Sequence, residues 1–426
     1  MSERRPNSNL RWIAIVLAIS AVGWLSYAGV LHALASHYGA SSDPDDWPRA
    51  SAIEPANAEN WYRLGRYRQL DFEHSDLPLA ITFYRRAVEL DPHSPYYKLD
   101  LASALEMNGD DVEAEKYFRA AQENYPISAE VSWRYGNFLL RQQRLPEAYA
   151  QIHRAVTVDS KLLPLAVSRA WRSNPDVGVL LEQVLPNTVE AHWQALSYLV
   201  QSQEAAASLD VWNHLMGLKP GIDWKIVYAF IDLMLNKDRF DEAGTVWKQA
   251  LAADGTFPPA SPAGSLIFDG GFQTDPANGG FGWRQQDVQG ADFDFDTEVK
   301  HSGPRSARII FDHTQNIDYG HLFQWVIVSP NTRYHFRGFL RTDHISTDSG
   351  MRFEIKDPRR AGLDVLTTNE TGTVPWTMEE IGFTTGPQTH LIYVMLRRLG
   401  GTHFDNQIGG TVWVDDVSLV PDGAPQ

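Results

Sequence analysis

The sequence predicts a multidomain chain with a single transmembrane helix, then an all-α solenoid, then an all-β sandwich. Three observations support this prediction. An uncharged apolar segment occupies residues 12–31, a 34-residue repeat follows it, and short alternating apolar runs begin near residue 265. A chain of 426 residues also exceeds what one hydrophobic core usually organises, so several folded units are expected.

Composition excludes several classes of protein. The chain has 37 basic and 53 acidic residues and a formal net charge of -16. We therefore expect no nucleic-acid partner, because binding phosphates requires a basic surface. The absence of cysteine excludes disulfides, thiolate metal sites, cysteine nucleophiles and a lipid-modified cysteine.

The apolar segment predicts a membrane anchor. Its twenty uncharged positions are about what a helix needs to cross ~30 Å of hydrocarbon. Arg4, Arg5 and Arg11 precede it and acidic residues follow it, so residues 1–35 are predicted to form a cytoplasmic stub and signal-anchor. The bulk of the chain then lies on the periplasmic side of the cell inner membrane. The alternative is a cleaved signal peptide, because ALA at 33–35 resembles a cleavage site.

Helical repeats are predicted over residues 57–254, after a Pro- and acid-rich linker at 36–56. Ala80, Ala114 and Ala148 are 34 residues apart. Small residues at a fixed period indicate stacked helical hairpins, because only Ala or Gly lets the helices approach closely. About six hairpins are expected, forming one solenoid. A Pro-rich linker at 255–264 ends it.

The repeat resembles the tetratricopeptide repeat family. Trp61, Leu64 and Gly65 match the first half of the family's pattern, and Ala80 and Tyr84 match its second half. Such a solenoid usually binds a protein partner in the concave groove lined by the first helix of each repeat. The candidate groove residues are recurring aromatic and polar positions of those helices: Tyr62, Arg66, Trp133, Asn137, Trp193 and Tyr228. The alternative is that several of these rings simply pack between helices.

A β-sandwich of jelly-roll type is predicted over residues 265–421. Alternating runs such as "ARIIFD", "YHFRGFLRT" and "GTVWVDDVSL" are separated by Gly, Pro, Asn and Asp, and this spacing favours many short strands. The landmarks "FDGGF", "GW", "HSGPRSARI" and "VWVDDVSL" occur in an order that resembles carbohydrate-binding modules with a galactose-binding-like jelly roll. The resemblance implies a glycan as a second partner.

A structural calcium is also implied by this resemblance, with Asp269 and Asp415 as its candidate ligands. Alternation along the last strand groups Asp415 with Trp413 and Val417, and a carboxylate turned toward apolar packing needs a hydrogen bond, an ion pair or a metal. Calcium accepts carboxylate and carbonyl oxygens in flexible geometry. The alternative is that Asp415 only accepts hydrogen bonds from a neighbouring loop.

Candidate sugar-binding residues lie in and beside the variable segment "NIDYGHLFQW". Tyr319 and Trp325 could stack on a sugar ring, and Arg352 could hydrogen-bond its hydroxyls. The alternative for Trp325 is burial between the two sheets.

These features predict a non-catalytic, membrane-anchored adaptor that brings a protein partner and a polysaccharide together, in surface glycan assembly or export. One alternative is an adaptor whose sandwich binds protein and no sugar. Another is a glycan-active enzyme, although the sequence lacks the zinc-protease, phosphate-loop and serine-elbow motifs.

Overall fold

The computed structural model describes residues 8–255, 264–359 and 362–422. Its contacts divide the chain into two compact units, residues 1–187 and residues 188–426. The first seven residues, and all but the two ends of the predicted linker at 255–264, lie outside the described residues.

The first unit is helical. Its helices are α1 Ser8–Gly39, α2 Trp47–Ile53, α3 Ala58–Leu70, α4 Leu77–Leu90, α5 Pro95–Asn108, α6 Asp111–Asn124, α7 Ala129–Arg141, α8 Leu145–Val158, α9 Leu163–Ser173 and the short α10 Val177–Val179, which continues into a π-helical turn, Leu180–Val184. Helices α3 to α10 pair as four successive hairpins. The last hairpin is shorter than the others because its second helix is only α10 and the π turn.

Local sequence explains where these helices begin. The side chains of Asn57, Asp76 and Ser128 accept hydrogen bonds from backbone N–H groups in the first turns of α3, α4 and α7. These residues are preferred caps because a helix leaves its first N–H groups without internal partners. Proline at the first or second position of α4, α5 and α8 costs no hydrogen bond there.

The 34-residue columns are the contact points between helices. Ala80, Ala114 and Ala148 are fully buried. Gly65 packs against Tyr84, and a Cβ at Gly65 would lie 2.7 Å from the tyrosine ring. Small residues recur at this period because any larger side chain would push the paired helices apart.

Helix α1 is long and apolar enough to cross a membrane. An 18-residue window within Arg11–Gly39 has a mean hydropathy of 2.0. The C-terminal end of the helix is built into the first unit: Ala35 is 1% exposed, and Gly39 accepts a hydrogen bond from Arg63. One continuous helix therefore runs from the apolar segment into packed structure.

The second unit combines helices and strands. It begins with two helical hairpins, α11 Val189–Gln201 with α12 Ala205–Gly217 and α13 Trp224–Asn236 with α14 Phe240–Asp254. Ten strands follow: β1 Arg284–Gln285, β2 Ala291–Asp296, β3 Ser306–Asp312, β4 Tyr319–Ile327, β5 Arg333–Ile345, β6 Arg352–Lys356, β7 Asp364–Leu366, β8 Gly372–Thr384, β9 Leu391–Arg398 and β10 Gly409–Pro421.

The strands form two five-stranded antiparallel sheets. Sheet 1 has the order β1-β4-β9-β6-β7 and sheet 2 the order β2-β3-β10-β5-β8. Inward-facing apolar side chains of both sheets form one core, as a sandwich requires. This confirms the predicted fold class, a long apolar helix followed by helical repeats and a two-sheet sandwich.

Strand β10 corrects the expected alternation around Asp415. Val412, Val414 and Val417 all belong to the core, so Asp415 shares a face with Trp413 and not with Val417. The pairing with β5 shifts register after Asp415, and Asp416 has a left-handed φ of 47°. The extra residue is a β-bulge, which turns the strand and restarts the alternation. A period of two cannot reveal such an insertion.

Helices α13 and α14 pack directly on the sandwich. The indole of Trp247 lies 5.4 Å from the ring of Phe268 and 6.1 Å from that of Phe281, both edge-on. Phe240 stacks on His390 at 5.3 Å, and a guanidinium nitrogen of Arg359 donates to the carbonyl oxygen of Leu235 at 2.7 Å. The last hairpin and the sandwich therefore share packed contacts within the second unit.

Gly270 offers a test of this arrangement. A Cβ there would lie 1.8 Å from the carbonyl oxygen of Val417, whose N–H donates to the Gly270 oxygen at 2.8 Å. We expect Gly270→Ala to lower the free energy of unfolding by about 1–3 kcal/mol, because two backbones must separate. Calorimetry of the purified chain measures the loss. Gly382→Ala is the control, since its nearest neighbours lie 3.8 Å from the added carbon; equal stability of the two variants would contradict the packing.

Candidate functional site

The outer side of sheet 1 carries three rings and one methionine, which we call the aromatic face: Phe323, Trp325, Tyr393 and Met395. Trp325 pairs with Tyr393 across β4 and β9, and their ring centroids lie 4.2 Å apart. Phe323 lies 5.6 Å from Tyr393. These four side chains are partly exposed, because the alternate positions of both strands fill the core.

Charged side chains border the aromatic face on strands β6 and β9. Glu354 is only 6% exposed, and Arg397 Nε lies 2.8 Å from its Oε2, at an angle that forms an ion pair without a hydrogen bond. Burial raises the pKa of the Glu354 carboxyl despite this neighbouring arginine. Arg352 donates to Asn369, and its Nε is buried without a hydrogen-bond partner in the described structure. Rings and hydrogen-bonding groups therefore share one surface.

Two of the three residues predicted to bind sugar lie on this surface and one does not. Trp325 and Arg352 both face outward from sheet 1. Tyr319 is 2% exposed and packs edge-on against Phe311 in the core, and burial raises its pKa. Its assignment to a binding surface is therefore corrected. The register shift between Tyr319 and Leu322 turns the tyrosine inward.

Helix α14 lies beside one end of the aromatic face. A Cβ on Gly244 would lie 3.1 Å from Ile327 Cδ1, so helix and strand nearly touch. A cleft of about 410 Å³ remains there. Its lining combines rings with polar side chains of α14, namely Trp325, Phe268, Phe281, Trp247, Asp241, Thr245 and Lys248. The end of the face near Trp325 is therefore walled, and the end near Arg352 is not lined by α14.

Asp415, a predicted calcium ligand, is completely buried. Its Oδ2 accepts hydrogen bonds from the backbone N–H groups of His301 at 2.9 Å and Ser302 at 3.0 Å. Its Oδ1 accepts the N–H of Asp416 at 2.8 Å. Burial raises the pKa of Asp415 to about 6 even though these N–H groups favour the charged form. The carboxylate thus holds the turn at 301–302 against β10.

His301, Ser302 and Asp416 form a cluster that the sequence did not predict. The imidazole Nδ1 of His301 lies 2.6 Å from Asp416 Oδ2, and Ser302 Oγ donates to Asp416 Oδ1 at 2.7 Å. The hydroxyl and the imidazole both bond to the carboxylate, so the imidazole does not activate the hydroxyl as it does in a catalytic triad. The only sequence signal was that His301 and Ser302 begin the landmark "HSGPRSARI".

Asp269 uses its carboxylate to close its own turn. Oδ1 accepts the N–H of Gln273 at 2.8 Å, and Oδ2 accepts the N–H and hydroxyl of Thr274 at 2.8 and 2.6 Å. Asp269 and Asp415 thus bind different turns. Across the described ranges no three His, Asp or Glu side chains are placed to hold a metal ion, so the two aspartates alone form no cage for calcium. Any calcium would need further oxygen ligands, such as backbone or amide carbonyls or water.

Four of the predicted groove residues belong to the first unit. Tyr62 donates to Asp100 Oδ2 at 2.7 Å, and the guanidinium of Arg66 lies 5.9 Å from the Tyr62 ring centroid. On α7, Asn137 and Trp133 lie one turn apart and both contact a single arginine of α9, Arg169. The groove positions of successive hairpins are therefore linked by side-chain contacts.

The other two groove candidates belong to the second unit. The ring of Trp193 lies 6.2 Å from that of Trp212, edge-on. Trp193 therefore packs between helices, which was the alternative to a role in the groove. Tyr228 contacts Trp247 and the loop of the sandwich at Gly279, where an added Cβ would lie 2.3 Å from the tyrosine ring. Tyr228 is therefore covered by the sandwich, and its assignment to an open groove is corrected.

Comparison with known proteins gives a family match to part of the helical region and several distant solved structures. The tetratricopeptide repeat family model matches residues 69–128 and 113–160. A solved structure described as "CBM4 structure and function" is 18% identical over 37% of this chain and 99% of its own, with a TM-score of 0.28. The xylan-binding CBM22-1 domain from Paenibacillus barcinonensis is 14% identical over 39% and 100%, with a TM-score of 0.28.

A third solved structure, YrrB, described as a TPR protein with an unusual peptide-binding site, is 16% identical over 50% of this chain and 94% of its own, with a TM-score of 0.25. No curated protein matches the sequence. The family match thus places tetratricopeptide-type repeats over residues 69–160, within the helical part of the chain.

Chelation tests the calcium prediction. If calcium binds the folded sandwich, a chelator should lower its melting temperature, because a ligand bound only by the folded state stabilises that state. Asp415→Ala should be destabilising with or without metal, since it removes three hydrogen bonds to backbone N–H groups. The chelator alone therefore decides the question. A parent protein that melts at the same temperature with and without chelator would exclude a stabilising calcium.

Proposed function

We propose that the chain is a non-catalytic, membrane-anchored adaptor for a protein partner and a glycan. The helical repeats bind the protein, and the aromatic face with its bordering charged groups binds the glycan, in surface polysaccharide assembly or export. The single observation that supports the glycan role is that Trp325 and Tyr393 lie on the same side of sheet 1 as Glu354, Arg397 and Arg352. Sugar rings present C–H faces to aromatic planes and hydroxyls to polar groups.

The anchor role is supported by the packing of α1. The helix continues without a break through the ALA sequence at 33–35, and Ala35 is buried at the edge of the first unit. His32 Nδ1 also lies 2.7 Å from Glu54 Oε1. Removal of the helix at a cleavage site there would remove these contacts, so retention of α1 is the better fit.

A second function is favoured by the position of α14. Because this helix walls the Trp325 end of the aromatic face, that end is closed to a long polysaccharide running along the sheet. The sandwich would then act as a support for the last helical hairpin and bind protein instead of sugar. Glycan binding by the parent protein separates the two functions, and hydrolysis assays on any bound glycan test the enzymatic alternative.

Trp325 provides the test of glycan binding. We expect Trp325→Ala to lose retention on glycans bound by the parent protein, with a small change in melting temperature, because the ring lies on the outer side of sheet 1. Trp376→Ala, which removes an indole from sheet 2, is the matched control and should keep retention. Affinity electrophoresis and thermal melting are the measurements. If the parent protein binds nothing on a broad glycan array, the sandwich functions without sugar.

Fractionation tests the anchor. The full-length protein should remain with membranes during carbonate extraction, and protease should reach residues 57–426 only from the periplasmic side. The physical reason is that twenty uncharged residues bury a helix across the hydrocarbon region. A soluble mature chain that begins near Ser36 would establish the signal-peptide alternative.

A further inference from the structure

The first helices of consecutive hairpins carry a group of arginines in the first unit. Arg134 and Arg141 lie on α7, and Arg169 and Arg172 lie on α9. Trp133, Asn137 and Arg141 are spaced four residues apart, which places them along one side of α7, and Arg169 and Arg172 are spaced three apart on α9. Arg169 crosses from α9 to contact Trp133 and Asn137 of α7.

The contacts of Arg169 are unusual for a charged side chain. Its guanidinium lies 4.8 Å from the centroid of Trp133 and donates to the amide oxygen of Asn137. Burial, together with the neighbouring charges of Arg141 and Arg172, lowers the pKa of Arg169. The guanidinium is therefore held in place by a ring and a neutral amide.

The acidic residues near these arginines form ion pairs with Arg141 and Arg134, not with Arg169 or Arg172. Arg141 forms two hydrogen bonds to Glu106, at 2.5 and 2.7 Å. Arg134 bonds to Asp100 at 2.7 Å. Within the described ranges neither Arg169 nor Arg172 has a carboxylate within ion-pair distance, and Arg172 donates only to the carbonyl oxygen of Ser168. Two arginines in a chain of net charge -16 are thus left without a counter-charge.

We propose that Arg169 and Arg172, with Trp133 and Asn137, form a binding site for acidic side chains of a protein partner. This proposal rests on the protein-binding function proposed for the repeats and names the chemistry of the partner. Arginine suits it because its planar fork binds carboxylates with two parallel hydrogen bonds. The ring of Trp133 orients the guanidinium of Arg169. The amide of Asn137 is neutral, so the positive charge of Arg169 stays uncompensated until a partner binds.

A protein partner is favoured over an anionic polysaccharide by the surrounding surface. The site lies on the tetratricopeptide-like part of the chain, in and just beyond the family match that ends at residue 160. Arg134 is paired with Asp100 and Arg141 with Glu106, so the positive charge left for a ligand is confined to Arg169 and Arg172. Two adjacent arginines match a short acidic segment of a peptide better than a long polyanion.

The test uses the full chain in detergent and a fluorescent, C-terminally amidated oligoglutamate peptide as the probe. Fluorescence anisotropy should show binding that weakens as salt rises, since the contact is between charges. Arg169→Ala and Arg172→Ala should each weaken binding about tenfold or more, the size expected for losing a charge-assisted hydrogen bond. Arg172→Ala removes only one hydrogen bond to a backbone oxygen, so we expect this variant to fold normally. It therefore keeps the proposal testable if Arg169→Ala is unstable.

Arg154 supplies the matched control, because it is an exposed arginine on α8, the second helix of the same hairpin. Arg154→Ala should bind the peptide as tightly as the parent. If it weakens binding equally, the attraction is unspecific and the site is refuted. Binding of a polyuronate but not of the peptide would also refute it, in favour of an anionic glycan.

One further comparison separates this proposal from the general protein-binding function. If an uncharged oligoglutamine peptide binds the parent and loses affinity in Trp133→Ala, while oligoglutamate does not bind, the groove binds protein but the acidic preference is wrong. If neither peptide binds, both the acidic site and the proposed peptide groove fail.

Discussion

The packing of Trp247 between the last helical hairpin and the sandwich organises the second unit. The indole is 7% exposed and contacts rings from both parts, and Gly280 approaches it so closely that a Cβ would lie 2.5 Å from the ring. Large aromatic contacts of this kind bury much apolar surface. Because Trp247 fixes α14 beside sheet 1, it also decides which half of the aromatic face is walled and why Tyr228 is covered.

This junction changes which surfaces of the helices and of the sandwich are exposed. In an isolated sandwich the outer side of sheet 1 would be open at both ends, and in an isolated solenoid the rings of α13 would face a free groove. Here each part covers some of the other's surface. The half of the aromatic face near Arg352 is not lined by α14, and this is the half that the proposed glycan role depends on.

Buried carboxylates serve mainly to hold turns in the sandwich. Asp415 and Asp269 each accept several backbone N–H groups, which compensate for the loss of water around the charge. The bulge at Asp416 makes this possible by keeping Asp415 outside the core while Val417 re-enters it. The adjacent acids of β10 therefore have separate structural roles, and calcium remains a proposal for chelation to decide.

Sequence by itself determined the class of each part. The period of 34 residues in the helices and the period of two in the strands predict which side chains are buried. They do so because the direction of a side chain follows from its place in the repeat. The hairpins and the sandwich followed from these periods, and the anchor-length helix followed from its twenty uncharged residues. Of the candidate sites, Trp325 and Arg352 were named from sequence, and the structure places both at outward positions of regular strands in sheet 1.

The remaining assignments depended on contacts between residues far apart in the chain. Tyr319 turned inward through a register shift, Val417 through a bulge, and Tyr228 was covered by a loop 51 residues later at Gly279. The unpaired state of Arg169 likewise depends on where the acids of α5 point. Periodicity in the sequence describes one helix or strand at a time. Shifts of register and long-range packing depend on the neighbours of each element, and only the tertiary structure determines which elements are neighbours.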